Sequence, residues 1–397
     1  MNRALVIIVI AVAACRGGDH HRRDAGAVAH VSADARSGSG SGSGWPELAS
    51  FPLIEPERVI ALPTQQNTPR FDVGGPVALG GVAVVSSSQF GFVAVDYKTG
   101  QLAWSKPAGL HVAPPVTRAG SFLLIGDCFA PPPVPAGQTL LGCARTITPA
   151  GTDQGYIAIH GDSKAVDAFA AEPGVQRVWS LGDREVMWRR GELAVIIDPV
   201  SGIATPTTPA DPPLVVRYKD REWSITHGDD GRITAADGHR KPAWHTERPY
   251  TELLGAVYLP EQSPMLRLSN AGHYRGHPEL SLMDIDATGS MHGQVAFPVP
   301  GIALVAHAID SIGDVALAVQ LDASLDHHFI AGYAANSLLM WVWPLPRVQR
   351  ADPIGLAVTP DAVLVFHDGD TLTVLPELSA PPTAPGAARA PLENSTP

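Results

Sequence analysis

The sequence predicts an all-β chain: a single β-propeller of about seven four-stranded antiparallel blades, or eight if two of its units are fused. Three observations carry this expectation. From about residue 52 to 378 short apolar runs alternate with turn residues, and helical periodicity is almost absent. The succession of runs also recurs about every 45 residues, a spacing typical of propeller blades. The 39 Gly and 37 Pro fit many short elements joined by turns.

The chain divides into four parts. Residues 1–15, MNRALVIIVIAVAAC, place one Arg before an unbroken apolar run. The run is too short to span a bilayer but has the length of a signal-peptide core. Small residues directly before Cys15 resemble a bacterial lipobox, which implies lipidation of that thiol; the alternative is an ordinary secretory leader. Arg16, rather than Asp, follows the Cys, which for such lipoproteins implies the outer membrane. Residues 16–50, with SGSGSGSG at 37–44, read as a flexible tether, and His20, His21, Arg22 and Arg23 read as its solvated part. Residues 51–378 are the propeller body. The stretch 379–397, SAPPTAPGAARAPLENSTP, reads as a disordered tail.

Within the body, VALGGVAVVSS (77–87), SFLLIGD (121–127), GYIAIHG (155–161), ELAVIID (192–198), VALAVQL (315–321) and AVLVFHD (362–368) have strand character. Gly75–Trp104 forms one full unit of strand, turn, strand, turn, strand. Poorer copies follow at 155–179, 196–202, 221–244, 280–297, 327–343 and 353–378. The segment RVIAL (58–62) is expected to complete the last blade and tie the ring shut.

The best unit contains AVDYKTGQLAW (94–104). Its spacing, A-x-D-x-x-T-G-x-x-x-W, resembles the tryptophan-docking motif of PQQ-like (quinoprotein-type) β-propeller repeats, with Ala94, Asp96, Thr99, Gly100 and Trp104 matching at every position. The resemblance implies that Trp104 packs between neighbouring blades, that Gly100 lets it approach the backbone, and that Asp96 and Thr99 stabilise the turn. Quinoprotein alcohol dehydrogenases of this class hold PQQ against a disulfide between adjacent cysteines, with Ca²⁺ ligands and a catalytic Asp. The chain has no adjacent Cys pair and no residue that matches a family cofactor ligand.

Cys128 and Cys143 flank the loop CFAPPPVPAGQTLLGC, which a disulfide could staple; two buried thiols are the alternative. A net charge of −11 without a clustered basic face argues against a nucleic-acid partner. Three constellations could bear chemistry. Asp322, Asp326, His327 and His328 could ligate a metal but read better as a polar blade tip. Asp229-Asp230-Gly231 reads as a hairpin turn. In HYRGHPE, His273, Tyr274, His277 and Glu279 form the most reactive-looking group, but Gly276 and Pro278 argue against a helix that presents both imidazoles.

The reading is therefore a non-catalytic, monomeric propeller lipoprotein that uses no cofactor or metal. It would be lipid-anchored in the bacterial envelope and would bind a protein partner. Its architecture is similar to the propeller lipoprotein subunit of the outer-membrane β-barrel assembly machinery. A PQQ-dependent dehydrogenase and a periplasmic ligand sensor are the alternatives.

Overall fold

The computed structural model describes residues 51–63, 73–107, 109, 111–173, 176–181, 185–218, 221–237, 242–247, 249–257, 264–274, 277–286, 289–310, 312–321, 328–345 and 354–378. Cys15, His20, His21, Arg22, Arg23, Asp322, Asp326 and His327 lie outside the described residues, as do the tether 16–50 and the tail 379–397.

Seven four-stranded antiparallel sheets form the blades of a β-propeller. Blades one to six span residues 73–106, 116–161, 176–207, 214–245, 252–300 and 303–344 in chain order. Blade seven takes its inner three strands from 355–375 and its outermost strand, Arg58–Ala61, from the other end of the body. The register runs from Arg58 opposite Val374 to Ala61 opposite Thr371, so the chain closes the ring on itself as the RVIAL segment suggests. Just before that strand the backbone also lies along the outer strand of blade six. Val342 donates to the Pro52 carbonyl (2.8 Å), and Ile54 donates to the Val342 carbonyl (3.2 Å). Two blade edges are thereby covered by one short segment.

Burial explains the sequence pattern. Second strands such as Ser121–Gly126, Val315–Gln320 and Ala362–His367 are buried at every position, because neighbouring blades cover both of their faces. They consequently read as continuous apolar runs, whereas the outer strand Gln101–Lys106 mixes exposed and half-buried residues. Among the described residues, six clusters of buried apolar side chains each join two adjacent blades. None of the six spans blades three and four. There Asp211, in the linker, holds Arg189 of blade three at 2.7 Å and Arg177 at 3.4 Å.

Residues 155–179, expected to form one repeat unit, instead divide between blades two and three around a helix, Ser163–Ala171. Asp162 caps it by accepting from the Lys164 and Ala165 amides (3.1 and 3.3 Å). Its Ala-rich stretch favours a helix, and Val166 and Phe169, three residues apart, are its buried residues. Trp179 accordingly sits on the innermost strand of blade three and not on an outer strand.

Candidate interaction face

In each antiparallel blade, the turns between strands one and two and between strands three and four emerge on one face of the disc. The turns between strands two and three, and the links from blade to blade, emerge on the other. The first face carries the joints built on glycine turns. On the third strand of blade one, Ala94 is fully buried opposite Trp104, and Asp96 ends the strand. Asp96 Oδ1 accepts from the Lys98 and Thr99 amides, both at 2.9 Å. The Gly100 amide donates to the Asp96 carbonyl at 2.7 Å, and Thr99 Oγ1 accepts from the Gln101 amide at 3.3 Å. Gly100 has φ +77°, a conformation natural to glycine.

Trp104 leaves its own blade and docks on the corresponding turn of blade two. Its Nε1 donates to the Pro149 carbonyl at 3.0 Å, and its ring meets Phe122 edge-on at 6.1 Å. The glycine that admits the indole is Gly151 (φ +85°), where an added Cβ would lie 2.7 Å from Trp104 Cδ1. Gly100 serves the preceding joint instead: an added Cβ there would lie 2.8 Å from the Arg58 side chain of blade seven. The motif therefore holds the receptor of one joint and the donor of the next. The same geometry recurs where Trp244 of blade four meets Gly289 of blade five, with an added Cβ 2.9 Å from the indole. At the seam between blades seven and one, Tyr97 donates to Asp361 (2.9 Å) and Lys98 pairs with the same carboxylate. Burial pushes the Asp361 pKa up, but the bonds from Lys98, Tyr97 and Thr359 outweigh it and hold the carboxyl below its ordinary value.

Between blades five and six the motif is absent and another device stands in its place. Ser337, at φ +67°, occupies the receiving turn. Arg267, 1 % exposed, reaches it from blade five and donates to Ser337 Oγ (2.8 Å) and the Ala335 carbonyl (2.9 Å). The same guanidinium clasps Asp284 through Nε and Nη2 (3.0 and 2.9 Å) and donates to the Gly313 carbonyl. No motif flags this pair; the available signal is an Arg and an Asp embedded in the apolar strands MLRLS and SLMDID.

The second face carries the elaborations. Its two longest connections, 127–138 and 162–175, both adjoin blade two. The first is closed by a disulfide between Cys128 and Cys143, with Cα atoms 5.1 Å apart. The second contains the helix, whose Phe169 packs edge-on against Trp188 at 5.0 Å. Phe129 in the stapled loop is 61 % exposed, and Leu140 just beyond it is also exposed. A shallow recess beside the loop is lined by Phe92, Lys106, Asp127, Phe129, Arg145 and Tyr156. In it the Arg145 guanidinium lies over the Tyr156 ring at 4.9 Å, and Lys106 pairs with Asp153 at 2.9 Å.

Blade five contributes a long hairpin to this second face, Met265–Tyr274 paired with His277–Asp286. The register sets Tyr274 opposite His277, His273 opposite Pro278 and Gly272 opposite Glu279, at the far end of this strand pair; Arg275 and Gly276 lie outside the described residues. His328 is buried at the start of the third strand of blade six. Asp229, Asp230 and Gly231 form the turn between Arg221–His227 and Ile233–Asp237, with Asp230 Oδ1 accepting from the Arg232 amide at 3.0 Å. On the innermost strand of blade six, burial holds the His307 pKa below its ordinary value. Glu252 on the innermost strand of blade five opposes that shift, and Arg177 on that of blade three reinforces it. Among the described residues, no group of three or more His, Cys, Asp or Glu is placed to hold a metal, and no helix is long and apolar enough to cross a membrane.

No family model matches the chain, and no curated protein matches it. Among solved structures, the chain is similar to a chain in the crystal structure of the mitotic checkpoint complex (12 % identity, TM-score 0.47, covering 87 % of this chain and 98 % of that one). It is similar to the computationally designed Ika8 protein (11 % identity, TM-score 0.43, 80 % and 98 %). It is also similar to BamB from Moraxella catarrhalis (13 % identity, TM-score 0.34, 76 % and 84 %). The chain itself is an all-β propeller of seven four-stranded blades.

Proposed function

We propose that the chain is a non-catalytic propeller lipoprotein of the PQQ-like type, anchored through lipid on Cys15 and acting as a protein-interaction scaffold in the bacterial cell envelope. The observation that carries this reading is the segregation of the two faces. The glycine-turn joints lie on one face, which also exposes Val200, Ile312 and Leu338, whereas the longest connections and the exposed Phe129 gather around blade two on the other. In repeat folds, insertions gathered on one face commonly mark the surface that meets a partner. The stapled loop and the capped helix make that surface rigid, which lowers the entropy lost on docking.

The test is site-specific photo-crosslinking in native membranes, with the reactive residue at Phe129 or, on the opposite face, at Val200, which is 81 % exposed. A discrete adduct with an envelope protein from position 129 and none from position 200 is expected. Adducts from both positions alike, or from neither, would remove the face assignment.

A further inference from the structure

We infer that the stapled loop of blade two is a presented polyproline II ligand, and that its partner is a protein with an aromatic-lined groove that reads such segments. This rests on the reading of the second face as the partner face and names the chemistry of the partner. Between Phe129 and Gln138 the chain reads FAPPPVPAGQ. Proline fixes φ near −65° at 131, 132, 133 and 135, and each residue that precedes a proline is driven towards extended or polyproline II backbone. Every residue from Ala130 to Pro135 falls under one or both constraints.

The structure leaves residues 127–135 without helix or strand. The side chains at Phe129, Ala130, Pro131, Pro133 and Pro135 are exposed, and those at Pro132 and Val134 half-buried. Both ends are fixed. Cys128 is bonded to Cys143, itself buried in the third strand of the blade. At the other end the Gln138 amide donates to the Pro135 carbonyl at 3.2 Å, and Gln138 Oε1 bonds to His160 Nδ1.

A polyproline II segment makes no internal hydrogen bonds, loses little entropy on binding and offers ring faces to aromatic side chains. The spacing Pro132-x-x-Pro135 is the one such grooves read. Phe129 extends the apolar strip towards the recess beside Lys106 and Arg145. No charged residue lies between Cys128 and Cys143, so the recognition is apolar and aromatic.

The experiment immobilises the purified full chain and measures binding of a panel of SH3, WW and EVH1 domains by biolayer interferometry. Wild type is compared with Pro132→Ala/Pro135→Ala and with Cys128→Ser/Cys143→Ser, each first checked for an unchanged propeller circular-dichroism spectrum. At least one domain is expected to bind wild type, with affinity nearly independent of salt. The proline substitutions should lower that affinity at least about tenfold, and loss of the staple should lower it several-fold because the loop is no longer pre-organised. Binding that survives the proline substitutions, or no binding by any domain, overturns the inference. If crosslinking from Phe129 nevertheless finds a partner, the interaction-face reading stands and only the polyproline chemistry falls.

Discussion

Replacing Arg267 by Met tests the joint that is held by charge. Arg267 and Asp284 are both almost fully buried, with side chains 1 % and 4 % exposed. In Arg267→Met the apolar stem is kept and the guanidinium is lost, so Asp284 is left as a buried carboxylate without its cation. Breaking such a pair from one side costs about 3–5 kcal/mol, a large fraction of the roughly 5–15 kcal/mol that holds a typical domain. Asp284→Leu should cost a similar amount for the converse reason.

The double variant Arg267→Met/Asp284→Leu removes both charges of the clasp, although Asp314, 4 % exposed, also loses the favourable influence of Arg267. Its residual cost comes from the Gly313 and Ala335 carbonyls and Ser337 Oγ, which lose a donor, at about 1–3 kcal/mol for each group that water does not reach. Those losses occur equally in Arg267→Met and cancel in the cycle, so the double variant should be more stable than the sum of the single effects by at least about 2 kcal/mol, the relief of the unpaired carboxylate. Urea unfolding followed by tryptophan fluorescence, with near-ultraviolet circular dichroism as the second probe, gives the full cycle. Single costs below about 1 kcal/mol, or costs that add within about 0.5 kcal/mol, would show that the clasp does not hold the blade-five to blade-six joint.

Three further perturbations address other joints. Trp104→Ala should cost about 2–4 kcal/mol: roughly half of the full aromatic deletion, since the side chain is only half-buried, plus the bond to the Pro149 carbonyl. A near-neutral midpoint in urea would refute its role as a dock. Reduction of the Cys128–Cys143 bond, or Cys128→Ser/Cys143→Ser, should lower stability by about 3 kcal/mol in the chain-entropy treatment of a loop this long. The same unfolding midpoint with and without reductant would count against the staple. The depressed pKa of Asp361 gives a sign for acid. Its contribution is complete above the ordinary carboxylate pKa and is lost as pH falls through the depressed one. Asp361→Asn should flatten that part of the melting-temperature profile, and an unchanged acid limb would exclude the seam contact as a source of stability.

Much of the ring was legible because propeller strands are covered on both faces. Runs such as SFLLIG and AVLVFH are continuous and apolar for that reason, and the turns between them carry Gly and Asp in conformations those residues favour. The closing strand was legible from its position before the first blade. The helix 163–171 was not, since it spans little more than two turns and buries only Val166 and Phe169. Its Ala and Asp residues imitate a decayed repeat. The Arg267–Asp284 clasp was hidden because two charges in apolar strands have no period; only the pairing of Arg267 opposite Asp284 in the sheet makes them partners. The interaction face was hidden for a different reason. Sequence showed a long Pro-rich loop, but only the blade topology puts that loop and the helix on the same side of the disc.

The joints also explain why the motif is clear once and faint elsewhere. If Trp and Gly of one copy served each other, decay of either would be lost within that copy, and repeats would keep or lose both together. In the structure the partners belong to successive blades: Arg58 to Gly100, Trp104 to Gly151, Trp244 to Gly289. In these three joints a side chain from an outer strand meets a glycine turn in the next blade. Blade four can therefore supply Trp244 within a repeat that looks degenerate. Blade five can supply Gly289 in a segment where no Trp follows at the motif spacing. Where the receiving turn has Ser337 instead of glycine, a guanidinium from the preceding blade bonds to the turn's carbonyl and hydroxyl rather than packing on its backbone. Retention of a contact between neighbours is thus compatible with erosion of the pattern within each copy, and AVDYKTGQLAW stands out because one copy holds both a receiving glycine, Gly100, and a docking indole, Trp104.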